Sequence, residues 1–281
     1  MTSPYLTDYL NIPDDFAVEN YNKIVDCLLD LKNDNNINEI YFFLSSWKGF
    51  LYRFLACTEH DAKYRSMSPA KPNSTSQERY EVERELFNFL VNGLSAIECL
   101  FCALFVMGAI IEKAHEGQST NNIFSMDEEK DISKITPKNT VKKFNSKFPN
   151  EFITKKLNDL VGENLIDESV TDEASITGNA KEYKEWIKIR NILTHRAQPG
   201  RNLFASGTTH NVFSSGTGED NPKIVPDSWN LENITREGVE NLPEIKITDD
   251  FTASKREWLT RIANDILSET YRFVSSFNVS R

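Results

Sequence analysis

Arg190, Asn191 and His195 are the residues whose types and spacing offer chemistry most directly, all within Lys181–Arg201, KEYKEWIKIRNILTHRAQPGR. An imidazole takes and gives a proton near neutral pH. A guanidinium stabilises the negative charge that grows on a phosphoryl group in transfer. Those two groups suffice for RNA cleavage without a metal: a base removes the ribose 2′-hydroxyl proton, the oxygen attacks the neighbouring phosphorus, and the 5′-oxygen leaves. The products are a 2′,3′-cyclic phosphate and a 5′-hydroxyl. DNA lacks the nucleophile, so the chemistry itself selects RNA.

A helix must hold these groups. Trp186, Ile189 and Leu193 recur at steps of three and four, so one stripe faces a core. Asn191 and His195 are four apart and lie one above the other on another face. Arg190 is about 140° around from His195 at roughly 100° per residue, so only its long side chain can bring the guanidinium to the imidazole. The helix should stop at Pro199-Gly200. The segment holds six Lys and Arg against two acids, Glu182 and Glu185. Solubility alone, or basic side chains that suit the dipole of a helix C-terminus, accounts for the same charges.

Arg, a polar residue, three further positions and His near the end of a helix in an all-helical chain resemble the HEPN family (higher eukaryotes and prokaryotes nucleotide-binding). Its members carry an Arg-x4–6-His signature, often with Asn after the Arg. The resemblance is specific over this helix and general over the long helix at 78–116. It implies a metal-independent endoribonuclease of prokaryotic defence or toxin type, acting as a homodimer in which two His and two Arg converge in one cleft. His195 would be the general acid/base, Arg190 the transition-state stabiliser and Asn191 the positioning residue. RNA is the implied substrate, an antitoxin or regulatory protein a further partner, and no cofactor or metal is called for. The runner-up is a catalytically inactive HEPN-like module that binds nucleotide, RNA or a protein; a plain helical interaction protein comes third. The family's Tyr two residues after the His is Ala197 here, which puts nucleotide-transfer regulation in doubt. Arg53 and His60 also fit the spacing, but Phe54 follows Arg53 and that helix continues past His60.

Glu98 is the second candidate. It stands among apolar residues from Leu94 to Ile111, where a carboxylate is costly unless paired. In some HEPN nucleases an acidic residue on the preceding long helix supports the Arg/His pair, which makes Glu98 the candidate partner of Arg190; a purely structural pairing elsewhere is the alternative. Cys99 and Cys102 form C-x-x-C without a second pair or a ligand-spaced His, so buried thiols are expected rather than zinc. His60, His115 and His210 lack partners in sequence and are expected at the surface or in loops. No phosphate-cradling Gly-x4-Gly-Lys-Ser/Thr loop, dinucleotide Gly-x-Gly-x-x-Gly, His-Glu-x-x-His or Gly-x-Ser-x-Gly occurs.

The 281 residues, 39% hydrophobic, allow one large or two small domains. A net charge of −10 argues against a general nucleic-acid coat while leaving room for a local basic site. The four cysteines and the absence of a basic, apolar leader after Met1 point to a cytoplasmic protein with reduced thiols.

The pattern predicts an all-α helical bundle with two long central helices, and the resemblance implies a single HEPN-like helical domain over 1–281. An N-terminal helical extension covers 1–36, with a helix beginning at Asp14-Asp15. Asn33–Asn36 breaks it, without the Gly or Glu of a calcium loop. Helices follow at 37–64 and 78–115, separated by a Pro/Ser/Asn run at 66–77 read as a mobile loop. Leu94–Ile111 has the length of a short membrane span, but charged helix continues on both sides, so a buried central helix and no membrane partner are expected. Thr136-Pro137 opens a helix ending at Pro149, and a second piece runs to Gly162. Residues 199–250 read as a long irregular loop or lid insertion with short extended pieces at Lys223–Val225 and Glu244–Ile247, before a last helix at 252–277.

Overall fold

The structure, a computed structural model, describes residues 5–67, 75–115, 123–124, 135–162, 177–195 and 250–278, and the backbone of 200–205, 208–209, 226–232 and 245–247. It is an all-α helical bundle, with seven α-helices among the described residues: α1 (Val18–Asp30), α2 (Ile37–Ser66), α3 (Ser76–His115), α4 (Pro137–Lys147), α5 (Phe152–Val161), α6 (Gly178–His195) and α7 (Phe251–Asn278). The expected mobile loop at 66–77 lies largely outside these residues.

Local sequence sets the helix ends. Asn36 takes the Asn33 N–H at 2.8 Å and donates to the Leu31 carbonyl at 3.0 Å, so the Asn run shapes the turn into α2. The Thr136 hydroxyl accepts the Asn139 N–H at 3.2 Å, with Pro137 in the first turn of α4. α5 ends at Gly162, whose φ of +84° needs no Cβ. Asp14 and Asp15 sit in a turn before α1, which begins at Val18 rather than Asp14.

Two compact units divide the chain. Met1–Leu55, Leu94–Lys184 and Trp258–Arg281 form the first; Ala56–Gly93 and Glu185–Glu257 form the second. In the first unit, residues of the expected N-terminal extension supply part of the core. Tyr21 stacks on Trp47 with ring centroids 4.9 Å apart, its hydroxyl donates to the Trp47 carbonyl at 3.1 Å, and the Trp47 indole donates back to the Tyr21 carbonyl at 3.3 Å. Phe16 joins Phe50 and Phe54 beside them. A second aromatic cluster holds Phe124, Phe144, Phe148 and Phe273. The buried Glu112 carboxylate accepts the backbone N–H groups of Ile123 at 3.2 Å and Phe124 at 2.8 Å, so burial costs it no hydrogen bonds. α3 is long and apolar enough to cross a membrane, yet 78% of its most apolar window is buried inside the protein, which packing alone explains.

The second unit carries the only strands among the described residues. In 199–250, expected as irregular, four short strands, β1 (Gly200–Ala205), β2 (Thr208–Thr209), β3 (Pro226–Glu232) and β4 (Ile245–Ile247), form an antiparallel sheet in the order β2-β1-β3-β4. Leu203 is opposite Trp229, and Trp229 opposite Ile247. The β4 residues are the extended piece expected at Glu244–Ile247; Lys223–Val225 lies outside the described residues. Gly and Pro hide the strands in the sequence because the runs they bound are only a few residues long.

Candidate functional site

Helix α6 owes its position to Trp186. This side chain is completely buried; its indole N–H donates to the Leu90 carbonyl at 2.9 Å, and its ring stacks on Phe89 with centroids 5.5 Å apart. The indole lies against Gly93, where α3 has no side chain to obstruct it. Ile189 is buried as well, so the expected Trp186/Ile189 stripe faces the core; Leu193, its third member, lies beyond the described side chains. The ammonium of buried Lys255 on α7 meets Glu185 at 3.1 Å, one residue before the anchor.

One turn after Trp186 comes Arg190, partly exposed at the edge of that core. Asn191 and His195 follow in the last turn of α6, and His195 is its final residue. Their side chains lie outside the described residues. The backbone thus places the Arg190–His195 turn at a helix end, as the spacing predicted.

Glu98 is not buried as its apolar surroundings in the sequence suggested. It is exposed to solvent on α3. A carboxylate in water carries no desolvation cost that a partner must offset, so burial gives no reason for pairing it with Arg190. Periodicity misled here because an apolar run was read as buried all round, while position 98 points outward between Ile97 and Leu100, both buried.

Among the described residues of the second unit, the buried carboxylates are Glu85 and Asp61, 3% and 1% exposed. Cys57 lies beside Gly93 and His60 beside Glu85, so α2 and α3 run antiparallel here. The His60 Nδ1–H donates to Glu85 Oε2 at 2.6 Å, and Arg84 donates twice to Oε1, from Nε at 2.9 Å and Nη2 at 2.8 Å. Burial alone would raise the Glu85 carboxyl, but the bonds from His60 and Arg84 outweigh it and hold the group below the usual carboxylate range. Asp61 is clamped by Arg65 through a two-point contact at 3.1 and 2.9 Å. Burial drives the Cys57 thiol well above its ordinary value, with nearby Asp61 adding to the effect and Arg256 opposing it.

His60 was therefore misjudged as a partnerless histidine. A signal did exist. Val82, Glu85 and Phe89 are spaced three and four, as are Cys57, Asp61 and Tyr64 in the opposite order. Each carboxylate occupies a core-stripe position, where it must find a partner. Cys99 and Cys102, expected as buried thiols, are partly exposed; what burial they have raises both, and the Ser46 hydroxyl lies 3.5 Å from Cys102 Sγ. Among the described residues there is no group of His, Cys, Asp and Glu able to hold a metal ion.

No protein-family model, curated protein or solved structure matches the chain. What the structure shows of its class is the fold, an all-α helical bundle.

Proposed function

We propose that the protein is a metal-independent endoribonuclease of the HEPN type, working in the cytoplasm as a homodimer in prokaryotic defence or as a toxin. His195 takes the proton of the ribose 2′-hydroxyl. Arg190 stabilises the charge that accumulates on the phosphoryl oxygens as O2′ attacks and the bond to O5′ breaks. Asn191, on the face of His195, orients the imidazole or the phosphate. Glu98, in water on α3, has no part in this scheme.

One observation supports this more than any other. The Arg-Asn-x3-His turn closes a helix whose preceding turn is fixed by a buried tryptophan, with Arg190 at the boundary between core and solvent. Phosphoryl transfer without a metal requires acid/base and cationic groups held firmly where substrate can reach them. Purified protein should cleave single-stranded RNA in the presence of EDTA, and His195→Ala should abolish cleavage with an unchanged melting temperature. RNA binding without cleavage would favour the inactive binding module instead.

A further inference from the structure

Cleavage of a ribose phosphodiester needs two proton transfers, one from the 2′-hydroxyl and one to the departing 5′-oxygen. We infer that His60, held by Glu85, supplies the second, so that the site contains an acid/base dyad contributed by α2 and α3 within the same protomer. The inference rests on the ribonuclease reading of the Arg190–His195 turn.

Geometry carries it. A carboxylate hydrogen-bonded to one imidazole nitrogen fixes the tautomer and the ring orientation, and leaves the other nitrogen for the reacting group. Glu85 does this to His60 Nδ1 at 2.6 Å, so Nε2 is the nitrogen available to a substrate. The His60 side chain is 20% exposed, and that of Glu85 only 4%. A buried orienting acid beneath a solvent-reached imidazole is the arrangement an acid/base dyad needs. Arg84 holds the far oxygen of Glu85, which keeps the carboxylate ionised and in place.

The surroundings suit RNA. Tyr80, Arg84 and Phe87, spaced four and three along α3, are all exposed, and the Arg84 guanidinium lies 5.9 Å from the Tyr80 ring centre. Unpaired bases stack on such aromatic and guanidinium planes. The dyad and the Arg190–His195 turn belong to the same compact unit. Glu85, rather than Glu98, is thus the carboxylate of the long helix that bears on the reaction.

The step balances as follows. His195 accepts the 2′-hydroxyl proton while O2′ bonds to phosphorus. The P–O5′ bond breaks, its electron pair goes to O5′, and the protonated Nε2 of His60 delivers a proton there. Water resets both imidazoles.

A leaving group that needs no proton isolates this role. RNA with sulfur in place of the bridging 5′-oxygen expels a thiolate, which departs without an acid. His60→Gln should slow ordinary RNA cleavage by about 10²–10⁴-fold, the usual contribution of general acid catalysis. It should cleave the 5′-thio-linked RNA within a few-fold of the unsubstituted protein, whereas His195→Ala fails on both. Glu85→Gln, which keeps the imidazole but loosens it, should give the same rescue from a smaller loss, and decides the matter if His60→Gln does not fold. Equal defects of the His60 and Glu85 variants on both substrates, or undiminished cleavage of ordinary RNA, would overturn the assignment while leaving the ribonuclease reading intact. An unsubstituted protein that cleaves neither substrate would overturn both.

Discussion

The six-membered ring of Trp186 occupies the space that a side chain at Gly93 would need: a Cβ there would meet Trp186 Cη2 at 2.8 Å and Cys57 Sγ at 3.1 Å. Helix α6, and with it the Arg190–His195 turn, sits where it does because α3 omits one side chain.

Gly93→Ala should therefore destabilise the protein, although alanine is the better helix former. Overpacking a filled core costs about 1–3 kcal/mol, more than the roughly 1 kcal/mol gained in helix propensity. Trp186→Phe should cost about 1–3 kcal/mol by leaving the Leu90 carbonyl without its indole donor. Urea denaturation measures both. A neutral or stabilising Gly93→Ala would show that α6 is not seated on α3 in this way.

Glu85 and Glu98, thirteen residues apart on one helix, should respond oppositely to removal. Glu85→Gln should cost about 1.5–3 kcal/mol, since it removes charged hydrogen bonds in a buried setting. Glu98→Gln, at the surface, should change stability by less than about 1 kcal/mol and leave RNA cleavage unaffected. Equal costs would contradict the burial of the one and the exposure of the other.

Acidification provides a second test of the same carboxylate. The Glu85 carboxyl is held below its ordinary value of 4.5 in the folded protein. Its contribution is thus complete above that value and is lost as the pH falls through the lower folded one. Stability measured from pH 7 downward should fall below about pH 4.5 more steeply in the unsubstituted protein than in Glu85→Gln. Parallel curves would mean that the His60 and Arg84 contacts do not persist in solution.

The thiols offer a chemical probe of the core. Cys57 is fully buried and its thiol is pushed well up by desolvation, so little reactive thiolate forms. A thiol reagent at pH 8 should leave Cys57 unmodified until the protein is unfolded in denaturant. Peptide mapping after brief labelling would detect early modification, which would place Cys57 outside the core beside Trp186.

Much of the fold was legible in periodicity. The bounds of α2, α3 and α7 follow from apolar residues at steps of three and four, and the start of α4 from Thr136-Pro137. Periodicity identifies a stripe but not how much of a rod is covered, which is why Glu98 was read as buried. Pairing across helices is invisible to it as well. His60 and Glu85 are 25 residues apart and meet only because α2 and α3 fold back on each other. Residues 1–36 read as an extension because their pattern is short, and Tyr21 and Phe16 among them complete a core with residues of α2. The Arg190–His195 turn was visible because its residues are local to one helix; its stable base, Trp186 on Gly93, involves a contact 93 residues away.

Incubation of pure protein with single-stranded RNA in excess EDTA, with the product ends resolved by mass spectrometry, tests the central claim most directly. Fragments ending in 2′,3′-cyclic phosphate and beginning with 5′-hydroxyl should appear, and should be absent with His195→Ala and with a DNA strand of the same sequence. Intact RNA, cleavage that needs a divalent metal, or undiminished cleavage by folded His195→Ala would contradict it.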